Sequence, residues 1–268
     1  MKKHCINLEL RFKKAKGTAK PEKLLFVHGI CVGAWIWEQH FFPYFSDAGF
    51  DCYALSLRGH AGSEGREGIN CWKLADYTAD LHTIAEQIEG PLIVIGHSLG
   101  GAVVQDWIRT GGKAKAAALL ASVPPWGLAL SAWRMAFTAP DLYRELIKLN
   151  TIGPQAADAD IMRRSLFSDA VTAHEYQQFM AQTQGESPVV GMELQGMRPF
   201  APLPWSAPPM FVLGGQDDKL IPVDEVWRTA AYYGTRAAII PHLSHSVMMD
   251  THWRSGADAL HEWIGKEH

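Results

Sequence analysis

The chain has 268 residues, a formal net charge of −3 and 47% hydrophobic residues, enough length to bury the core of one large domain or of a domain carrying a sizeable insertion. A sequence pI of about 6.4 and a single small basic cluster, Arg11, Lys13, Lys14, Lys16 and Lys20, leave no electrostatic footprint for nucleic acid, so the cluster reads as a solvated hairpin. No run reaches the roughly 18 apolar residues of a membrane helix, and the opening MKKHCINLELRF has charges without a continuous apolar stretch, so neither a signal peptide nor a membrane span is expected and the expected location is cytoplasmic.

In chain order, short β-branched runs alternate with longer stretches at helical spacing, the pattern of βαβ units and a parallel sheet. The strand candidates are INLELRF (6–12), KLLFVHG (23–29), CYALSL (52–57), LIVIGH (92–97) and KAAALLASV (115–123), with helices expected at 34–47, 73–88 and 99–110. In the second helix Leu74, Tyr77, Leu81, Ile84, Ala85 and Ile88 fall at three-and-four spacing, which gives it one face for the sheet. Cys5, Cys31, Cys52 and Cys71 match neither a zinc ribbon nor a CxxC pair, and are expected as reduced thiols.

Between 124 and 204 the rhythm changes: WGLALSAWRMAF, DLYRELIKL and AHEYQQFMAQ read as short amphipathic helices with no strands between them. Proline-rich ends, VPPWG and PFAPLPWSAPP, bound this helical insertion. The alternating pattern then returns with PMFVLGG (209–215), a helix opening at Pro222, RAAIIPH (236–242) and a last helix from about 250 to 265.

Gly96-His97-Ser98-Leu99-Gly100 follows a predicted strand and precedes a predicted helix, the context in which G-x-S-x-G forms a nucleophile elbow. The pentapeptide alone also fits a serine that merely caps the helix. A serine nucleophile further needs a base, an orienting acid and an oxyanion hole. VLGGQDDKLIP offers Asp217 and Asp218 beyond a later strand, and IIPHLSHSVMMD offers His242 and His245 beyond the last one. The order Ser, Asp, His favours His245, which lies further out than His242 and ahead of the last helix. Backbone N–H groups of Leu99, after the serine, and of Ile30, in the loop HGICVGAW, are the expected oxyanion donors.

Five segments in this order, HGICVGAW, SLRGHAGS, GHSLGG, GGQDDKLIP and LSHSVMMD, resemble the α/β-hydrolase fold family over about residues 23–123 and 209–265. In that family the acid usually stands four residues before a proline, a spacing that Asp218 and Pro222 have and Asp217 lacks. The resemblance implies a mostly parallel eight-stranded sheet flanked by helices, with a cap inserted after the sixth strand. The core would then be 1–123 and 205–268, and the cap 124–204. Ser98 in place of an Asp nucleophile argues against haloalkane dehalogenases and epoxide hydrolases. HGICVGAWIWE is also similar to plant-type hydroxynitrile lyases and methyl esterases, but those lyases carry a lysine directly after the catalytic histidine, where this chain has Ser246. Lys219, beside Asp218, is the alternative source of a cation.

The mechanism implied is two-step acyl transfer on small to medium apolar carboxylic esters, with Ser98, His245 and Asp218 as the triad and no metal or organic cofactor. Trp126, Trp133, Phe137, Tyr143 and Phe179, with other apolar residues of the insertion, are candidates to line an acyl or aryl pocket or to pack the insertion on the core. Arg58 and His60 read as loop structure. A C–C bond hydrolase, a thioesterase and a hydroxynitrile lyase use the same triad, and a non-catalytic ligand receptor uses the same scaffold, so fold alone does not choose among them.

Overall fold

Residues Lys23–Val27, the strand β2, send Leu24 and Phe26 into one apolar cluster and Leu25 and Val27 into another. That period of two, with both faces buried, requires a layer of helices on each side of the sheet. The computed structural model describes residues 6–196 and 199–266, and Cys5 therefore lies outside the described residues. The strands are β1 (Leu10–Lys13), β2, β3 (Asp51–Leu55), β4 (Leu92–His97), β5 (Ala116–Leu120), β6 (Met210–Gly215) and β7 (Ala237–Ile240). They lie in the order β1-β3-β2-β4-β5-β6-β7, with only β1 antiparallel to its neighbour.

The sheet has seven strands among the described residues, where the resemblance implied eight. Within the expected strand 6–12, residues 6–9 do not join the ladder. Asn7 and Glu9 accept instead from the N–H groups of Glu64 and Ser56, at 2.9 and 3.0 Å, so the backbone is satisfied by loop residues and pairing starts at Leu10.

Helices α1 (Phe41–Asp47) and α10 (Trp253–Ile264) cover one face, while α2 (Leu74–Ala85), α3 (Leu99–Arg109) and α9 (Val223–Tyr232) cover the other. The expected helix 34–47 is split into a 3-10 turn at Ala34–Trp37 and α1. Pro43 explains the break: it is tolerated only in a first turn, so the helix begins just ahead of it. Pro222 stands one residue outside α9, at its N-cap.

Between β5 and β6 the chain runs through α4 (Ala129–Thr138), α5 (Pro140–Thr151), α6 (Ala159–Leu166), α7 (Ala173–Met180) and α8 (Pro188–Glu193). Thr172 caps α7, accepting from Glu175 N–H while the Glu175 carboxylate accepts from Thr172 N–H. Two buried carboxylates are among the ties that fix this helical segment to the rest. Glu225, buried on α9, accepts from Trp126 Nε1 and Ser131 Oγ, and Asp250, also buried, accepts from the N–H of Ser168 at 2.7 Å and from Ser244 Oγ at 2.6 Å.

The chain steps from β2 to β3 in one direction and places β4 and β5 in the other. The carboxyl ends of β2 and β4 therefore flank the point where strand order reverses, the usual crevice for a ligand in an open α/β sheet.

Candidate active site

Ser98 stands at that crevice, between β4 and α3, at φ 52° and ψ −118°. A left-handed φ on a non-glycine residue costs on the order of 1–3 kcal/mol and persists only where the surroundings impose it. The glycines two residues to each side supply the room. A Cβ on Gly96 would sit 2.5 Å from Gly100 O, and one on Gly100 would sit 2.3 Å from Val27 O. The Ser98 side chain makes no capping bond to α3, which sets aside the reading of a simple helix cap.

Its hydroxyl faces His245 Nε2 at 3.1 Å, and His245 Nδ1 faces Asp218 Oδ2 at 2.9 Å. All three residues are buried. The direction of the relay follows from the far end. Asp218 Oδ1 accepts the N–H groups of Leu220 and Ile221, at 2.8 and 2.9 Å, which leaves Oδ2 to accept from Nδ1–H. Nε2 then carries the lone pair toward Ser98. Asp217 is exposed. His242 is exposed too, with its ring against His252 at 5.8 Å. Neither takes part in this chain of contacts.

Leu99 N–H lies in the first turn of α3, where the helix offers no acceptor, and Ile30 follows β2 across the crevice. Ile30, Ser98, Leu99 and His245 all line one cavity of about 420 Å³. Its walls come from α4 to α8, among them Met135, Leu146, Leu149, Met162 and Met180, and from Leu220, Met248 and Met249 on the core. Among the described residues, no Asp, Glu, Lys or Arg side chain lines it.

The aromatic candidates divide. Tyr143 and Phe179 line the cavity. Trp133 and Phe137 do not: they are 65% and 72% exposed and pack on each other at 5.0 Å. They are four residues apart on α4 and so share a face, whereas Leu128, Ser131, Ala132 and Met135 hold the face toward the cavity. Trp126 is bonded to Glu225 outside the cavity. Lys219 is exposed and donates to the Arg164 carbonyl at 2.8 Å, so it brings no cation to the cavity.

Three histidines and one carboxylate pack beside the site: His97, His28 and Glu186, to which the sequence gives no role, and His60, which it reads as loop structure. His97 and His28 are buried, and burial pushes each pKa down to about 3, so both rings are neutral at ordinary pH. Leu57 N–H donates to His28 Nε2 at 3.0 Å, hence His28 Nδ1–H donates to Gly29 O at 2.7 Å. His60 Nε2 lies 3.1 Å from Glu186 Oε2, both side chains being almost wholly buried. His28 and His60 stand inside the motifs HGICVGAW and SLRGHAGS, a signal that could have found them. Glu186 lies in the helical segment at no telling spacing.

Among the described residues no group of three or more His, Cys, Asp or Glu side chains is placed to hold a metal, and no helix is long and apolar enough to cross a membrane. Cys31 and Cys52 are buried free thiols and Cys71 an exposed one. Burial raises the first two well above the usual thiol range.

No curated protein sequence matches the chain. Solved structures do. A bromoperoxidase from Bacillus anthracis superposes with a TM-score of 0.72 at 16% identity, over 97% of this chain and 96% of that one. A thermophilic esterase from Thermogutta terrifontis gives 0.66 at 19%, over 97% and 93%, and a monoacylglycerol lipase from Paleococcus ferrophilus gives 0.65 at 16%, over 96% and 98%. At such identities the likeness is one of fold, and the three names already span different chemistries. The sequence pattern described as the alpha/beta hydrolase family matches residues 24–258. With β3 to β7, the elbow and the later loops inside that match, the chain belongs to the alpha/beta hydrolase family.

Proposed function

We propose that the protein is a serine hydrolase that cleaves carboxylic esters with small to medium apolar acyl groups. The observation that carries this reading is the contact chain Asp218, His245, Ser98 opening on a cavity with no charged side chain among its described lining residues. His245 takes the Ser98 proton as Oγ attacks the ester carbonyl. The tetrahedral oxyanion is held by the N–H groups of Ile30 and Leu99, and His245 returns the proton to the leaving alcohol. Water, deprotonated by the same histidine, attacks the acyl-enzyme and releases the acid and free Ser98. Asp218 keeps the proton of neutral His245 on Nδ1 and stabilises the imidazolium. In this reading residues 124–204 form the cap that shapes the acyl pocket and excludes water.

The test is hydrolysis of 4-nitrophenyl esters of increasing acyl length, with Ser98→Ala as control. Turnover with a chain-length optimum, lost in Ser98→Ala while the fold persists, supports the reading. Near wild-type turnover in that variant sinks it. A folded wild type that hydrolyses none of the series and is not labelled at Ser98 by a fluorophosphonate favours the non-catalytic receptor instead.

A further inference from the structure

Behind the loop that carries Ile30 lies a buried charge that the proposed mechanism leaves unused. Glu186, between α7 and α8, is wholly buried. Its Oε1 accepts from Tyr77 OH at 2.5 Å and from Ser187 N–H at 2.7 Å, and its Oε2 lies 3.4 Å from Cys31 N. His60 stands on the other side, with Nδ1 3.1 Å from the Arg58 carbonyl and Nε2 3.1 Å from Glu186 Oε2. Both ring nitrogens thus face groups that only accept, which calls for the doubly protonated ring. The Nε2 contact lies off good hydrogen-bond alignment, so the attraction there is mainly ionic.

Burial opposes the charge on each partner. For Glu186, His60 and the donated bonds outweigh burial and hold the carboxyl down to about 2. For His60, Glu186 outweighs burial and raises the ring above its ordinary value. Taking two charges out of water is expensive, and an apolar pair of the same volume would stabilise a fold as well. What the pair touches supplies a reason for it.

Cys31 has a left-handed φ of 63°, a strained setting for a side chain that carries a Cβ. Its peptide groups are held from both sides by one short segment: its N–H points to Glu186, and its carbonyl accepts from Gln184 N–H at 2.8 Å. The same segment is tied to the loop after β3, where Gln184 Oε1 accepts from Ala61 N–H at 2.7 Å and the Gly185 carbonyl accepts from Arg66 at 2.6 Å. The preceding peptide, whose N–H is that of Ile30, has its carbonyl held by His28.

We infer that Glu186 is a positioning residue for the oxyanion loop: locked by His60, Tyr77 and Ser187, its carboxylate fixes the strained Cys31 peptide and so the aim of the neighbouring Ile30 N–H. This rests on the reading of Ser98 as nucleophile and Ile30 as oxyanion donor. Glu186 touches no substrate; it acts through the loop.

The experiment compares two inhibitors with the same acyl chain. Ser98 Oγ adds to the carbonyl carbon of a trifluoromethyl ketone, its proton passes to His245, and the carbonyl oxygen becomes an oxyanion in the hole. The matching methyl ketone stays trigonal. Glu186→Gln keeps the shape and the bonds from Tyr77 and Ser187 but removes the negative charge. The expected result is a trifluoromethyl ketone inhibition constant raised about tenfold or more, an unchanged methyl ketone constant, and a lower kcat at constant KM. Tyr77→Phe, which frees one end of the carboxylate, is expected to show the same selective loss to a smaller degree, and decides the matter if Glu186→Gln does not fold. Parallel weakening of both inhibitors, or no change in either, overturns the positioning role. A wild type without preference for the trifluoromethyl ketone overturns the nucleophile reading, and the positioning role with it.

Discussion

His97 Nε2 donates a hydrogen bond of 2.9 Å to the backbone carbonyl of His245. The residue before the proposed nucleophile thus holds the residue that faces it, and ties the end of β4 to the loop after β7. Gly29 packs against the other side of the ring, where a Cβ would come within 2.9 Å of His97 Nδ1.

Because this ring is buried and neutral, it makes stability depend on acid. Unfolded histidine binds a proton near 6.5, whereas burial, helped by the nearby charge of His245, lowers His97 to about 3. Between those values the unfolded state holds the extra proton, so stability is complete above 6.5 and falls as pH falls toward 3, by about 1.4 kcal/mol per pH unit for each such group. His28, lowered to about 3 as well, adds a second share. His60, whose pKa is raised, acts the other way around: its contribution is complete below 6.5 and lost as pH rises through its folded value, so it does not offset the acid slope. Urea midpoints measured from pH 7 to pH 4 are expected to fall, and His97→Gln, which keeps a donor for the His245 carbonyl, is expected to fall less steeply by one histidine's share. An identical slope in that variant contradicts the account.

Asp218→Asn is expected to leave the fold intact and to lower kcat by roughly 10⁴. An amide nitrogen in the place of Oδ2 would donate to His245 Nδ1, forcing the ring proton onto Nε2, where it meets the Ser98 hydroxyl instead of accepting from it. Asp217→Asn, at the exposed neighbour, is expected to keep kcat within about twofold, in line with surface changes elsewhere. Steady-state kinetics on the best 4-nitrophenyl ester separate the two.

Gly100→Ala is expected to damage both fold and turnover. The new Cβ would lie 2.3 Å from Val27 O and 2.4 Å from His28 O, both backbone, so α3 and the oxyanion loop must move apart. A loss of about 1–3 kcal/mol, the usual range for overpacking, is expected in urea unfolding, with kcat reduced at temperatures where the variant is folded. An active, equally stable variant would mean that the close approach is not needed.

The cavity wall sets acyl length. Leu146→Trp, on α5 and facing the cavity, is expected to move the chain-length optimum to shorter esters and to raise KM for longer ones. Trp133→Ala and Phe137→Ala, on the outer face of α4, are expected to leave the profile where it was. A changed profile in the latter pair would assign those rings to substrate access.

The parallel sheet was legible because short apolar runs such as LIVIGH and PMFVLGG alternate with stretches at helical spacing, and the glycine near the end of each marks a backbone that must pass within contact of another. The order of Ser98, Asp218 and His245 was legible for the same local reason, since each follows a strand end. The phase of α4 was not: Trp133 and Phe137 are as apolar as Met135, and the tertiary contacts of α4, its packing on α5 and the bond from Ser131 to Glu225, leave the larger residues outward. Glu186 was hidden more deeply. Its partners are His60, Tyr77 and Cys31, more than a hundred positions away in the chain, and no spacing pattern marks a carboxylate that folding alone brings against them.

The apolar lining of the cavity also bears on how a turnover would finish. Ester cleavage turns a neutral guest into an anion, and an anion in an apolar enclosure whose described lining holds no Lys or Arg is strongly disfavoured against water. Deacylation would therefore create a product that its own container rejects. The free acid of a good substrate should compete only feebly with fresh ester, letting the enzyme run far into conversion without stalling on what it has made.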